Sequence, residues 1–425
     1  MPQLAAIADD FTGATDLATM LVTRGFRTVV TVGVPEGGSG DAVAGADAVV
    51  VALKSRTAPT ARAVADSVAA LRALRAAGCE RFYFKYCSTF DSTPRGNIGP
   101  VADALLDELG APGTVVVPAF PATGRTVYRA RLFVHDDLLD ESPMRDHPLT
   151  PMRDSHLGRL LAPQTVRPVH QVRHETVRAG ADAVRAALDE PRARGALTVV
   201  DATTDDDLRA IAAATAGMPL VTGAAGLALG LTGPRGGQGS ARARSAGRGP
   251  GAILSGSASA ATRAQVGHAR GLLPSRAVDP EALRAGLDGA VAGLVAFVTD
   301  CWRADPTRPP LVYAAAEETA VPGSAGHADG AGTARLVETA LARCATALVA
   351  AGARHLLVAG GETSGAVVTA LGARALRIGA PLAPGVAWAH TEATVDGAAR
   401  PVDLALKSGN FGGTDMFTTA WGALS

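Results

Sequence analysis

The sequence feature that most limits the possible folds is a repeated succession of a short apolar run, a loop of small or polar residues and a helix-like stretch. Three such units occur before residue 110, with apolar runs at residues 3–8, 48–53 and 81–85. Apolar runs of this length that alternate with helical patterns are typical of strands in a mainly parallel sheet. We therefore predict an α/β protein, in which ligands bind beyond the carboxyl ends of the strands.

One low-complexity segment divides the chain. Residues 233–251, GPRGGQGSARARSAGRGPG, consist almost only of Gly, Ala, Ser, Arg and Pro. This composition cannot bury a core and is typical of a flexible linker. A chain of 425 residues is also long for a single core. We therefore predict two α/β domains with mainly parallel sheets, residues 1–232 and residues 252–425, on either side of this linker.

Composition and charge exclude several classes of function. Lys plus Arg and Asp plus Glu are balanced at 40 each, which argues against nucleic acid or an anionic membrane as the partner. No signal peptide is apparent, no stretch is convincing as a membrane span, and the four cysteines have no CxxC spacing. We expect a cytoplasmic protein that acts on small molecules.

Lysine is rare in this chain and occurs only at Lys54, Lys85 and Lys407. Each lysine closes an apolar run and is followed by a segment rich in Ser, Thr or Gly. The lysine ammonium is a compact, rotatable charge suited to phosphates and carboxylates. All three are therefore predicted to lie in ligand sites; the alternative is that they fell there by chance.

Two candidate groups follow the first and second apolar runs. Asp9 and Asp10 are adjacent carboxylates that could hold a metal ion, take a proton from a hydroxyl group or accept hydrogen bonds from sugar hydroxyls. Alternatively, Asp10 or Thr12 only caps the next helix. Arg56 could bind a substrate carboxylate in a bidentate way, or it could be a solvated loop charge.

The loop after the third apolar run is especially rich in hydroxyl groups. The stretch from Phe84 to Pro100, FKYCSTFDSTPRGNIGP, contains Lys85, Ser88, Thr89 and Asp91 before a predicted helix N-terminus. Such donors and acceptors beside a helix N-terminus suit a polyhydroxylated, anionic ligand. The alternative is a Ser/Thr-rich turn without a function of this kind.

Residues 119–163 are predicted to form a long irregular section. Sections of this kind inside a compact domain are usually functional, so we expect a lid or a subunit contact. The section contains His135, His147 and His156, but their spacing fits no compact set of ligands, and the metal ligands remain unknown.

Three loops of the C-terminal half have the composition of phosphate-binding loops. They are Ser255–Ser259 and Gly360–Gly365, each between a strand-like and a helix-like stretch, and Lys407–Gly413. Such loops allow backbone N–H groups to approach phosphate closely. No P-loop motif is present, and a single such loop could serve packing alone. Three of them in one domain favour nucleotide binding.

The chain resembles the four-carbon acid sugar kinases in motifs that follow in order, namely IADDFTGATD, LKSRT, KYCSTFDSTPRGNIGPV, ESPMRDHPLTPMRDS, LSGSAS, AGGETSGAVV and LKSGNFGG. The matches span residues 7 to about 417. STFDSTPRGNIG is the most specific of them and is similar to the loop of members that act on 3-oxo-tetronates. Ala258 departs from the pattern, because many relatives have Cys at this position.

The resemblance implies a sugar-acid domain followed by an ATP domain, with the ligand site in the interdomain cleft. It also implies transfer of phosphate from ATP, with Mg²⁺, to the 4-hydroxyl group of a 3-oxo-tetronate. The residues implied to contact ATP are Ser255, Ser257, Gly360, Gly361, Glu362, Thr363 and Gly409. The residues implied to line the acid site are Asp9, Asp10, Arg56, Lys85, Ser88, Thr89 and Asp91.

For the mechanism, we expect Arg56 and Lys85 to hold the substrate carboxylate while an aspartate, Asp10 first and Asp91 second, deprotonates the terminal hydroxyl group. Two alternatives are a threonate or erythronate kinase and a non-catalytic sugar-acid sensor, which would not need phosphate loops. Self-association into a homo-oligomer is also compatible with the sequence.

Overall fold

The computed structural model describes residues 2–35, 43–147, 150–235, 245–314 and 327–424, without side chains at residues 327–331. The chain divides into two compact units, Met1–Ser240 and Ala241–Ser425, here called the N-terminal and C-terminal domains. This division falls within the predicted linker, of which residues 236–244 lie outside the described residues.

The N-terminal domain alternates strands and helices. Its strands are β1 (Leu4–Ala8), β2 (Thr28–Val32), β3 (Ala48–Ala52), β4 (Phe82–Lys85), β5 (Thr114–Val117), β6 (Arg125–Tyr128), β7 (Arg131–Val134), β8 (Asp137–Leu138), β9 (Val169–Val172), β10 (Leu197–Val200) and β11 (Leu220–Gly223). Its helices are α1 (Phe11–Thr23), α2 (Thr60–Ala76), α3 (Ile98–Leu109), α4 (Leu157–Leu161), α5 (His174–Arg178), α6 (Ala181–Ala193) and α7 (Asp205–Ala214).

A parallel sheet with the strand order β2-β3-β1-β4-β11-β5-β10-β9 forms the centre of this domain. From β1 the chain continues to β2 and β3 on one side, and the later strands add on the other side. Ligand crevices of α/β sheets form at such a reversal of strand order, here between β1 and β4. The register places Ala8, Ala52, Lys85 and Gly223 level with one another at the carboxyl edge.

Local sequence explains why these elements form. β1 (LAAIA) and β3 (AVVVA) are buried at every residue, as expected for parallel strands covered on both faces. α7 begins at Asp205 because Thr204 and Asp207 form a capping box, in which each side chain accepts a hydrogen bond from the other residue's N–H group. The signal that starts this helix is therefore local to the sequence.

The section 119–163 contains more regular structure than we predicted. β6, β7 and β8 form a small antiparallel sheet, and α4 follows. Val127, Leu132, Leu139 and Met152 are fully buried. The prediction of an irregular section is therefore wrong, because apolar side chains spaced along these short strands pack into the domain. A role as a lid or a subunit contact stays a prediction.

The C-terminal domain has the same alternating character. Its strands are β12 (Gly251–Ser255), β13 (Ser275–Val278), β14 (Leu311–Ala314), β15 (His355–Ala359), β16 (Ala375–Ala383), β17 (Val386–Val395) and β18 (Ala398–Lys407). Its helices are α8 (Ala260–Arg270), α9 (Pro280–Ala285), α10 (Leu287–Ala304), α11 (His327–Ala350), α12 (Gly361–Ala370) and α13 (Met416–Thr419).

The sheet of this domain has the order β13-β14-β12-β15-β18-β17-β16. The strands from β13 to β18 pair in parallel, and β17 and β16 extend the sheet in antiparallel fashion. The predicted α/β class with mainly parallel sheets is confirmed, although the antiparallel extension was not predicted. The register places Ser255, Ala359 and Lys407 level with one another. The three loops with phosphate-binding composition therefore start from one edge. They are here called the glycine-rich loops and are numbered first to third in chain order.

Candidate active site

Arg56 lies at the centre of a group of carboxylates in the N-terminal domain. Its Nε and Nη2 donate to the two oxygens of Asp9 at 2.9 and 2.8 Å, and its Nη1 donates to Asp91 Oδ2 at 3.3 Å. Nη2 also lies 3.0 Å from Asp10 Oδ1. Burial alone would lower the pKa of Arg56, but Asp10 and Asp9 outweigh burial and raise it well above its ordinary value. The guanidinium therefore stays charged.

These contacts change the interpretation of Arg56. We expected it to bind the substrate carboxylate, but its N–H groups face three aspartates of the chain itself. A substrate carboxylate could not bind Arg56 in a bidentate way without displacing one of them. The geometry favours a role in which Arg56 holds the aspartates in position.

Hydrogen bonds within the chain fix the loops that carry this group. Asp10 is the N-cap of α1, because its Oδ1 accepts a hydrogen bond from the N–H group of Gly13 at 2.8 Å. Asn97 Nδ2 donates to the carbonyl oxygens of Ser55 at 2.8 Å and Arg56 at 3.3 Å. Asp10 therefore does cap α1, and this contact does not exclude a functional role.

Asp91 reaches Arg56 through an unusual turn of the backbone. Phe90 and Asp91 have φ angles of 65° and 36°, a conformation that residues other than glycine rarely adopt. Thr89 Oγ1 donates to Asp91 Oδ1 at 2.6 Å, and Ser88 is half-buried in the same turn. Strained backbone of this kind is concentrated at functional sites.

The three aspartates around Arg56 differ in their exposure. The side chain of Asp10 is 24% exposed, compared with 7% for Asp9 and 8% for Asp91. Burial alone would raise the pKa of Asp10, but the charges of Arg56 and Lys85 outweigh burial and hold it below its usual range. Asp10 is thus an ionised carboxylate and the most accessible of the three.

Lys85 is buried at the end of β4, with 2% of its surface exposed. Its Nζ donates to the carbonyl oxygen of Tyr86 at 2.7 Å. Gly13 leaves the necessary space, because a Cβ atom there would overlap with Asp10 Oδ1 and lie 3.0 Å from Lys85 Nζ. Lys54, in contrast, has an exposed side chain. Burial therefore sets Lys85 apart from Lys54.

Two further buried groups of this domain were not predicted from the sequence. Asp16 on α1 is 5% exposed, and its Oδ1 has no hydrogen-bond partner in the described part of the chain. Burial raises the pKa of Asp16 to about 6, against the charges of Lys85 and Arg125. Arg125, the first residue of β6, is 8% exposed, and its Nε also lacks a partner among the described residues. Both lie in polar motifs, FTGATD and TGRT, but a motif does not show which of its side chains become buried.

The three glycine-rich loops of the C-terminal domain contact one another. Ser259 Oγ and Thr262 Oγ1 donate to the carbonyl oxygen of Gly409 at 2.5 and 2.7 Å, which connects the first loop to the third. Gly256 packs so closely against Thr363 that a Cβ atom at residue 256 would overlap with Thr363 Oγ1. The first loop is therefore also in contact with the second.

The predicted ATP-binding residues occupy the ends of these elements. Ser255 is the buried last residue of β12, and Ser257 Oγ accepts a hydrogen bond from the N–H group of Ser259 at 3.2 Å. Gly360 is the N-cap of α12, whose first turn contains Gly361, Glu362 and Thr363. The N–H groups of a first helical turn have no partner within the helix and favour anions. The arrangement can therefore bind phosphate oxygens.

Lys407 supports the third loop from the end of β18, where it is fully buried. Its Nζ donates to Thr262 Oγ1 and to the carbonyl oxygens of Ser408 and Gly409, at 2.9, 2.9 and 3.1 Å. Burial lowers the pKa of Lys407 to about 7. The side chain therefore fixes the loop and titrates near neutral pH.

The described part of the chain contains neither a cluster of potential metal ligands nor a candidate membrane span. No group of three or more His, Cys, Asp or Glu side chains in these residues could hold a metal ion. No helix among the same residues has both the length and the apolar character needed to cross a membrane.

Comparison with protein families gives two matches in this chain. Residues 4–231 match the family described as "Sugar-binding N-terminal domain". Residues 252–417 match the family described as "Nucleotide-binding C-terminal domain". The cluster of aspartates around Arg56 lies in the first match, and the glycine-rich loops lie in the second.

Curated relatives are similar over nearly the whole chain. The 3-oxo-tetronate kinase of Burkholderia multivorans is 51% identical, with 100% of this chain and 97% of the relative covered. That of Cupriavidus necator is 49% identical, with coverage of 99% and 96%. That of Escherichia coli K12 is 42% identical, with coverage of 90% and 99%.

Two solved structures share this fold over their whole length. A crystal structure from Salmonella typhimurium LT2 has a TM-score of 0.85 at 39% identity and covers 99% of both chains. The Haemophilus influenzae protein HI1011 has a TM-score of 0.77 at 40% identity, with coverage of 99% and 100%. From these families, relatives and structures, and as its motifs predicted, the chain belongs to the four-carbon acid sugar kinase family.

Proposed function

We propose that the chain is an ATP-dependent kinase that phosphorylates the 4-hydroxyl group of a 3-oxo-tetronate. The observation that carries this proposal is its 42–51% identity to 3-oxo-tetronate kinases over at least 90% of the chain. The chemistry of the two domains supports it. One domain offers carboxylates and a buried lysine, which suit a polyhydroxylated acid, and the other offers loops that suit a triphosphate.

Asp10 is our candidate for the residue that orients the 4-hydroxyl group and accepts its proton. It is the most accessible aspartate of its group, and Arg56 Nη2 lies 3.0 Å from its Oδ1. Phosphoryl transfer depends mainly on positioning and charge neutralisation, so a carboxylate with a low pKa can serve this role. Asp91 is the second candidate, and its greater burial makes it less accessible to a substrate.

The remaining acid-site residues are proposed to bind the substrate. Lys85 carries a charge that acts on Asp10, and it is placed to attract the carboxylate group of the substrate. Asp9, Ser88 and Thr89 belong to the loops at the same sheet edge and offer partners for hydroxyl groups. Lys85 therefore retains the role expected from the sequence, whereas Arg56 takes a different one.

ATP is proposed to bind at the carboxyl edge of the C-terminal sheet. The N–H groups at the start of α12 and the hydroxyl-rich first loop supply donors for the phosphates. Mg²⁺ is proposed to enter with ATP, and it would neutralise the charge of the phosphates. A meeting of the two substrates in an interdomain cleft, a cytoplasmic location and self-association stay predictions.

ADP formation from ATP–Mg²⁺ tests the function and the substrate together. The purified protein is assayed with threonate, erythronate and their 3-oxo derivatives. We expect turnover with a 3-oxo acid only. Turnover only with the unoxidised acids would instead make the protein a threonate or erythronate kinase.

The sensor alternative is tested by ATP binding. An excess of ATP–Mg²⁺ a hundredfold above its dissociation constant should stabilise a kinase by about 2.7 kcal/mol. A sensor for sugar acids alone should show no such stabilisation. The absence of both turnover and stabilisation would contradict the proposed function.

A further inference from the structure

Lys85 and Arg125 are two buried cations of the N-terminal domain. Within the described residues, neither has an Asp or Glu oxygen within 4.0 Å. Arg125 Nη1 donates to the carbonyl oxygen of Thr123, whereas its Nε has no partner there. Buried charges in proteins are normally paired. The two side chains are therefore suited to receive an anion.

The topology brings these two cations to the same edge of the sheet. Lys85 ends β4 and is level with Gly223 of β11, which is level with Val117 at the end of β5. Phe120, just beyond β5, pairs with Arg125 through backbone hydrogen bonds. Two strand spacings, about 10 Å, separate the ends of β4 and β5. The long side chains of a lysine and an arginine can span this distance from both ends.

Asp16 is a buried acceptor on whose carboxyl group both cations act electrostatically. The charges of Lys85 and Arg125 both act on its carboxyl group and oppose the effect of burial on its pKa. Its Oδ1 has no donor among the described residues. Buried polar atoms without a partner are uncommon in native proteins and require an explanation such as a ligand. Asp16 therefore offers a free acceptor beside two cations.

Arg56 does not offer this chemistry. Its charge is compensated by the aspartates around it, so an anion gains little from approaching it. Lys85 and Arg125 form no ion pair within 4.0 Å in the described residues, so an anion can approach them without breaking one. The acid-binding role expected for Arg56 is thus better matched by Arg125.

We propose that Arg125, Lys85 and Asp16 form the subsite for the α-hydroxy-acid end of the substrate. The substrate carboxylate accepts hydrogen bonds from Arg125 Nε and Lys85 Nζ, and the 2-hydroxyl group donates to Asp16 Oδ1. The 4-hydroxyl group, at the other end of the substrate, remains for Asp10. This inference rests on the proposed function and adds Arg125 and Asp16 to the substrate-binding residues.

The first test compares Arg125→Gln with Arg131→Gln in steady-state ADP formation. Arg131 is a matched control, because it lies on the neighbouring strand β7 and is exposed. Loss of a charge-assisted hydrogen bond should raise the KM of Arg125→Gln for the sugar acid about 10- to 100-fold. The KM for ATP should stay unchanged, and the Arg131→Gln variant should behave as the wild type.

A neutral substrate distinguishes a role of Arg125 in carboxylate recognition from a general structural defect of the variant. The amide of the same acid lacks the negative charge, so the wild type should prefer the acid. Arg125→Gln should lose most of this preference, and Arg125→Lys, which keeps the charge, should recover part of it. A merely structural role of Arg125 predicts equal losses for acid and amide.

The second test uses Asp16→Asn, which keeps the size of the side chain and removes its charge. Because charge-assisted hydrogen bonds are roughly twice as strong as neutral ones, the KM for the 2-hydroxy acid should rise. The KM for the analogue without the 2-hydroxyl group should not change. If Arg125→Gln fails to fold, this comparison of KM values still tests the proposed subsite.

Two results would overturn the inference. One is an unchanged KM for the acid in the Arg125 and Asp16 variants. The other is a rise in the KM for ATP instead, which would assign these cations to phosphate binding. Failure of the proposed function is distinguishable, because the wild-type protein would then not turn over the 3-oxo acid.

Discussion

Arg56 and Arg125 are arginines of the same domain, and their neighbours give them different chemistry. Arg56 contacts Asp9, Asp10 and Asp91, whereas Arg125 has no ion pair in the described part of the chain. Arg56 can organise carboxylates of the chain, and Arg125 can attract a carboxylate of a ligand. Residue type alone therefore does not determine which cation recognises an acid.

Replacement of Asp10 by Asn tests its proposed role as the acceptor of the proton from the 4-hydroxyl group. Asn is as good an N-cap as Asp, so α1 should remain intact while the carboxylate is lost. Since general-base catalysis contributes about 10²–10⁴-fold, we expect kcat to fall at least about 100-fold. The measurement is ADP formation at saturating concentrations of both substrates.

Asp206→Asn is a suitable control, because Asp206 lies in the first turn of α7 with an 88% exposed side chain. It should leave kcat unchanged. If Asp10→Asn stayed within a few-fold of the wild type and Asp91→Asn did not, the base would be Asp91.

Lys407 predicts a pH dependence of stability. Its pKa is about 7 in the folded protein and 10.5 in the unfolded chain, so between these values the unfolded chain binds more protons. The free energy of unfolding should therefore rise with pH across this window, by about 2 kcal/mol between about pH 7.5 and pH 9.5 relative to Lys407→Met.

Urea unfolding followed by tryptophan fluorescence measures this effect in the relevant domain. All three tryptophans, Trp302, Trp388 and Trp421, belong to the C-terminal domain. Identical pH dependence in the wild type and Lys407→Met would show that Lys407 does not titrate in this range.

At the level of elements, the contact between the first and second glycine-rich loops is tested by Gly256→Ala. The added Cβ overlaps with Thr363 Oγ1 and lies 3.2 Å from Leu341 Cδ1, and overpacking of this kind typically costs about 1–3 kcal/mol. If the loops must keep this contact to bind ATP, the Kd for ATP–Mg²⁺ should rise about tenfold. Isothermal titration calorimetry measures it.

Gly267→Ala is the matched control for this substitution. Gly267 lies on α8, and a Cβ atom there has no neighbour within 4 Å. Ala favours the helix by up to about 1 kcal/mol, and ATP binding should be unaffected. Equal affinities of the two variants for ATP would place the nucleotide away from these loops.

Elements with local signals were predictable from the sequence. The apolar run at residues 81–85 is observed as β4, and the helix at residues 205–214 has its own capping box. β16 and β17 were not predicted, because their formation depends on pairing with one another and with β18. Patterns within one segment do not contain that information.

At the level of the whole molecule, the sequence indicated which loops carry polar residues but not how their side chains pair. Arg56 is 47 residues from Asp9 and 35 residues from Asp91, and the parallel register brings them together. Asp16 and Arg125 were missed for the same reason, since their missing partners become visible only in the folded chain. Motifs predict a location for the candidate site, and packing determines which contacts its side chains make.

The most direct test of the central claim is the position of the phosphate in the product. ATP–Mg²⁺ and a 3-oxo-tetronate are incubated with the protein, and the product is analysed by proton-coupled phosphorus NMR. The C4 carbon carries two protons and the C2 carbon carries one, so a phosphate on the 4-oxygen gives a triplet and one on the 2-oxygen gives a doublet. Our account predicts a triplet and one ADP for each phosphorylated acid. A doublet, or release of inorganic phosphate without a phosphorylated acid, would contradict it.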